Sequence, residues 1–189
     1  NNLSLHLLEL FTSQVAKVGM TDGIRQVLQE ESDALRAYYE QAGILIARPA
    51  GGTSCRLAIS AKGGTNAENH NHNDVGSYAV ALGSETMVGD QGGPNSYPGD
   101  YFNGDAPQKY KIKGSFGHPV PVVDGRTQSS GGKAKGVVLQ KEFTNEKDVF
   151  SIDYTSAYST PNLDKLIRTF VYDRQGEGNF TVGDEFTAK

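Results

Sequence analysis

Apolar side chains at Leu3, Leu7, Leu8, Phe11, Val15 and Val18 recur at the spacing of one helix face. Gly19 is placed to stop that helix, and Thr21 or Asp22 can cap a second one. Ile24, Val27, Leu28 and Leu35 carry the second helix towards Tyr38-Tyr39, and Gly43 closes the helical section. The period then shortens. Ile44–Ala47 and Cys55–Ile59 are short apolar runs separated by Pro49-Ala50-Gly51-Gly52, the signature of a hairpin. Ser77–Leu82 and Thr86–Val88 form a second pair, turned at Gly83-Ser84. Gly136–Phe143, Val149–Thr155, Leu166–Tyr172 and Asn179–Val182 complete the set. Phe150, Ile152 and Tyr154 alternate with polar neighbours, as in an antiparallel strand with one buried face. Short strands with Gly-rich turns predict a mainly β fold, an antiparallel β-sandwich of jelly-roll type. Two domains follow: a helical segment over 1–42 and the sandwich over 43–189.

Composition narrows the classes. At 189 residues with 37% hydrophobic content and no Trp, the chain has one sizeable core and a polar character. A net charge of −4 with no basic stripe argues against nucleic acid as a partner. No apolar run approaches the ~20 residues of a membrane span. The single Cys55 leaves no internal disulfide, so the redox compartment is open. The chain begins at Asn1-Asn2-Leu3 without an initiating Met or signal peptide, which reads as a fragment or a processed chain.

The chemistry concentrates in Glu68-Asn69-His70-Asn71-His72-Asn73-Asp74, which holds two of the four histidines. In an extended segment His70 and His72 would share one face, displaced by roughly 6.5–7 Å. That is too far apart for both to reach one zinc at ~2.0–2.1 Å. Asp90 and His118 lie among Gly and Pro residues that fix sharp turns. His72, Asp90 and His118 supply two nitrogens and a carboxylate, a donor set for zinc with water as fourth ligand. Surface polar residues in loops are the plain alternative. The segment from Gly89 to Gly114 is a long loop rich in Gly, Pro and Asn, carrying Tyr97, Tyr101 and Tyr110. Those tyrosines either bind sugar rings and move protons or pack the loop down.

The order Gly63-Gly64, His70-Asn71-His72-Asn73-Asp74-Val75-Gly76-Ser77-Tyr78, Val88-Gly89-Asp90-Gln91-Gly92 and Ser115-Phe116-Gly117-His118-Pro119-Val120-Pro121-Val122-Val123-Asp124-Gly125 resembles the heparinase II/III-like β-sandwich domain. That domain is the C-terminal module of polysaccharide lyases acting on heparin-type glycosaminoglycans or alginate. The resemblance covers about residues 43–189 and implies a truncated sandwich, with the helices as the tail of a missing (α/α) toroid. It implies zinc ligands at His72, Asp90 and His118, a cleft or catalytic role for His70, and a cleft tyrosine best matched by Tyr110. Tyr97 and Tyr101 stay open as substrate-binding or alternative positions. It also implies an acidic polysaccharide substrate and a periplasmic or secreted location. The family's main catalytic tyrosine belongs to the toroid, so the isolated chain is expected to be inactive.

Such lyases work by β-elimination: a base removes the C5 proton of a uronate, and an acid protonates the departing O4. The carboxylate must be neutralised for the C5 proton to leave. A neighbouring His or cation that lowered a tyrosine's pKa would suit it to that proton transfer. Two other readings compete. His72, Asp74 and His118 have the form of a facial triad for non-haem iron, with Arg126 to hold a 2-oxoglutarate co-substrate. A carbohydrate-binding module with a structural metal is the non-enzymatic alternative.

Overall fold

A computed structural model describes residues 34–90, 93–94 and 96–189. The helical reading of residues 3–33 lies outside them. The strands are β1 (Arg36–Tyr39), β2 (Ile44–Ala47), β3 (Leu57–Lys62), β4 (Thr65–Asn66), β5 (Tyr78–Leu82), β6 (Glu85–Val88), β7 (Gly131–Lys135), β8 (Val137–Phe143), β9 (Lys147–Asp153), β10 (Leu163–Asp173) and β11 (Asn179–Ala188). They form a five-stranded sheet ordered β1-β2-β3-β5-β6, a four-stranded sheet ordered β11-β10-β9-β8, and a two-stranded β4-β7 ribbon. Every pairing is antiparallel. The predicted β-sandwich is the observed architecture.

One expectation is corrected at the start of the described chain. Arg36–Tyr39 is a strand, paired to β2 with Tyr38 opposite Leu45, and does not end a helix. Tyr38 lies 5.7 Å from the rings of both Phe143 and Phe150, so its aromatic surface is buried only when the segment joins the sheet. Gly43, with φ of +62°, makes the turn back into β2. The sheet therefore takes in residues assigned from sequence to the helical segment. β4 and β7 were not predicted either: they are short, and Gly131-Gly132 carries no strand signal.

The core lies between the sheets. Leu45, Ala47, Ile59 and Ala61 from one face meet Phe150, Ile152, Leu166, Phe170 and Tyr172 from the other. Phe170 stacks between Phe150 and Phe180 at centroid distances of 6.0 and 6.2 Å. On β10 the buried positions Leu166, Arg168, Phe170 and Tyr172 alternate strictly. Arg168 thus occupies a core-facing place that period-2 packing reserves for apolar side chains.

A second buried charge sits near the chain's first strand. Asp148 accepts from Arg36 Nε at 2.8 Å and pairs with Arg174. Arg174 also donates to the carbonyls of Arg48 and Leu35 at 2.7 and 3.0 Å. This network fastens the β1 end of one sheet to the other.

Candidate metal centre and the loops around it

The histidine segment lies in the connection between β4 and β5 and is not a strand, which corrects the extended geometry read from sequence. His70 has φ of +59°, a left-handed conformation that breaks any shared face with His72. Its exposed ring stacks on Phe102 at 4.3 Å. His72 turns the other way and meets His118, with Nδ1 of His72 3.1 Å from Nε2 of His118.

Buried side chains hold the segment in place by taking its backbone groups. Asn73 N–H donates to the Lys113 carbonyl at 2.8 Å, and Asp74 N–H donates to Asn66 Oδ1 at 3.2 Å. Gln128 accepts from Val75 N–H at 3.0 Å and donates back to the Val75 carbonyl at 2.7 Å. Asn73 donates its amide to the Gln128 carbonyl at 3.1 Å and to Ser130 Oγ at 3.0 Å. Arg168 then reaches across the core, donating to the carbonyl of Gly76 at 2.8 Å and that of Pro119 at 2.7 Å. One guanidinium therefore anchors both the segment carrying His72 and the residue after His118. Gly117 fits its turn closely: a Cβ there would meet the Ile112 backbone at 2.7 Å.

His72, Asp90 and His118 each present one ligand atom, and these atoms lie within 4.8 Å of one another. The donor set fits zinc in its spacing. Two nitrogens on a tetrahedral ion at ~2.0–2.1 Å stand about 3.3 Å apart, close to the 3.1 Å between His72 Nδ1 and His118 Nε2. The other His118 nitrogen, Nδ1, is buried and makes no hydrogen bond of good geometry among the described residues, with Asp90 Oδ2 3.3 Å from it. Burial, and then the neighbouring His118, hold the His72 pKa below its ordinary value. A neutral imidazole is the form that ligates a metal. Asp74 does not join this group. Its carboxylate is 2.6 Å from Lys62 Nζ and takes a longer contact from Ser77 Oγ at 3.5 Å. The iron-triad reading through Asp74 therefore lacks its carboxylate.

The long loop folds into an aromatic shelf beside His70. Tyr97, Tyr101 and Phe102 meet at centroid distances of 5.0 to 5.3 Å, and Tyr110 lies 5.2 Å from Tyr101. Tyr97 is 56% exposed, whereas Tyr101 is only 2% exposed and offers no open ring face. The Tyr101 hydroxyl is buried without a hydrogen-bond partner among the described residues, and burial, then Tyr97 and Asp90, raise its pKa. The Tyr110 hydroxyl donates to Asp100, and that bond raises its pKa as well. Lys109, the basic residue before Tyr110, pairs with Asp100, whose carboxylate decides the direction.

No protein-family model matches the chain, and no curated protein matches it. Two solved structures of heparan sulfate lyase HepC from Pedobacter heparinus do. The mutant form gives a TM-score of 0.68 and covers 96% of this chain and 27% of that one, at 18% identity. The other gives 0.67, covering 97% and 28%, also at 18% identity. The chain has a polysaccharide lyase-like fold. It spans little more than a quarter of the length of those structures.

Sequence reasoning missed the residues that build this site from behind. Gln128 and Asn66 look like loop polars, and Phe102 has no motif. Lys113 is 3% exposed, with its ammonium donating to the Tyr101 carbonyl at 2.7 Å and lying 4.6 Å from the Tyr101 ring. Only Arg168 left a signal, an arginine in the apolar register of a strand. No helix among the described residues is long and apolar enough to cross a membrane.

Proposed function

We propose that this chain is the β-sandwich part of a polysaccharide lyase that cleaves uronic-acid-containing polysaccharides by β-elimination, with zinc held by His72, Asp90 and His118. The supporting observation is the convergence of these three side chains, from three separate loops, on a fold shared with part of a heparan sulfate lyase. Zinc bound there supplies a cross-link that fixes the loops bearing its ligands. His70, outside the ligand group and on the exposed shelf, is placed to donate to a substrate carboxylate or relay a proton. Tyr110, its hydroxyl donating to Asp100 and its pKa raised by that bond, serves as an orienting group rather than a base. Tyr97 offers the open ring for a sugar, and the buried Tyr101 supports it from below. The base then comes from the part of the enzyme opposite the sandwich, and a periplasmic or secreted location fits an enzyme with a polymeric substrate.

The test uses the parent protein on a panel of uronic-acid polymers, reading the unsaturated product by ultraviolet absorbance, together with metal analysis. The proposal expects product from at least one polymer, zinc in wild type, and zinc lost in His118→Ala. No product from any uronate polymer rejects the lyase reading, and equal zinc in wild type and His118→Ala removes the metal site.

A further inference from the structure

A groove of about 460 Å³, outside the metal-ligand group, is lined by Lys109, Lys111, Phe116, Arg126, Thr127 and Ser159 among others. Three cations meet here on a chain whose net charge is −4. Lys109 is neutralised by Asp100. Among the described residues, neither Lys111 nor Arg126 has a carboxylate partner. Asp124, two residues before Arg126, is already engaged, accepting from Thr160 at 2.8 Å and Asn162 at 3.0 Å. Phe116 is 65% exposed, with the Lys111 ammonium 5.9 Å from its ring centroid. An open aromatic face flanked by two uncompensated cations and hydroxyl groups matches a sugar ring that carries an anion. The apolar ring face packs on Phe116, and the anion takes charge-assisted bonds from Lys111 and Arg126.

We propose that this groove is a binding subsite for a further anionic sugar unit of the same polysaccharide, beyond the unit being cleaved. The proposal rests on the lyase reading and adds to it that the substrate bears negative charge on at least two units. Position supports this. Phe116 precedes the candidate ligand His118 by two residues, and Lys109 adjoins Tyr110. Consecutive Cα atoms stand 3.8 Å apart, so the groove begins within roughly 8 Å of the metal loop. The anion is either a sulfate or a carboxylate, and both suit the forked guanidinium of Arg126.

Calorimetric titration of the 189-residue chain at fixed salt tests the groove. The probes are a sulfated heparan oligosaccharide, an unsulfated oligouronate, a neutral gluco-oligosaccharide and a single-stranded oligonucleotide. The acidic saccharides are expected to bind and the neutral one not. Lys111→Gln and Arg126→Gln are each expected to weaken binding about tenfold, with unchanged melting temperature. Preference for the sulfated probe assigns the anion as sulfate, and equal affinity assigns the carboxylate. Unchanged affinity in both variants overturns the proposal. So does an oligonucleotide bound as tightly as the saccharides, which marks an unspecific polyanion surface. In the parent enzyme the same variants should raise KM and leave kcat alone. Lyase activity with no change in Kd or KM sinks the groove and leaves the function standing. Saccharide binding lost in the variants, with no uronate polymer cleaved, sinks the lyase reading and leaves the groove.

Discussion

Arg168→Met tests whether one buried guanidinium positions the candidate metal centre. The side chain is 5% exposed and makes four bonds: two to Asp184, one to the Gly76 carbonyl and one to the Pro119 carbonyl. Methionine fills much the same space without a donor. Asp184 is about a third exposed and rehydrates, so its loss adds little. The Gly76 and Pro119 carbonyls have less access to water, and each buried acceptor left unmade costs ~1–3 kcal/mol. The sum is about 2–6 kcal/mol, a large part of the ~5–15 kcal/mol that holds a domain together. At this chain length that lowers Tm by roughly 5–25 °C. Zinc affinity, read by competition with a chromophoric chelator, should fall ~10–100-fold, because His72 and His118 lose their common anchor. Asp184→Asn, which leaves both carbonyl bonds in place, should keep zinc affinity near wild type. A melting temperature within about 2 °C of wild type refutes the energetic argument. A destabilised Arg168→Met that binds zinc as tightly as wild type reduces Arg168 to core packing.

Asp148→Asn leaves Arg36 and Arg174 facing a neutral group in a site where Asp148 is 1% exposed. It should cost about 3–5 kcal/mol in urea unfolding, and a loss under ~1 kcal/mol would mean the arginines find water instead. Tyr101→Phe removes a buried hydroxyl that has no partner among the described residues, so thermal melting should be unchanged or slightly higher. A lower melting temperature contradicts the orphan assignment. Burial pushes Tyr158 up to about 12 and raises Tyr154 and Tyr172 as well. Their unfolded phenols ionise near 10, so their contribution to stability is complete below pH ~10 and is lost as pH rises through the folded values. Phenolate absorbance should show these three of nine tyrosines ionising only with loss of the circular dichroism signal. Titration of all nine near pH 10 with the fold intact would contradict their burial.

The alternation of Phe150, Ile152 and Tyr154 and the Gly-rich turns were enough to specify an antiparallel sandwich, because side-chain period and turn chemistry are local properties. The candidate group of His72, Asp90 and His118 could likewise be picked out, since imidazoles and a carboxylate held at Gly/Pro turns are uncommon without a purpose, and the structure brings the three together. The conformation of the histidine segment was not legible. Its backbone groups are satisfied by Asn66, Lys113, Gln128 and Arg168, which lie as many as 92 residues away in sequence. Local propensity cannot report a bond whose partner is set by sheet packing, so an extended reading gave way to a turn with His70 at positive φ. Arg36–Tyr39 went the same way, because its strand depends on β2 and on Phe143 and Phe150 across the core. The direction of the Tyr110 pKa was decided by Asp100, ten residues earlier, which the loop folds back onto the phenol. Sequence thus determined which chemistry the chain carries. Tertiary structure decided which of those groups meet, because their meeting depends on long-range contacts.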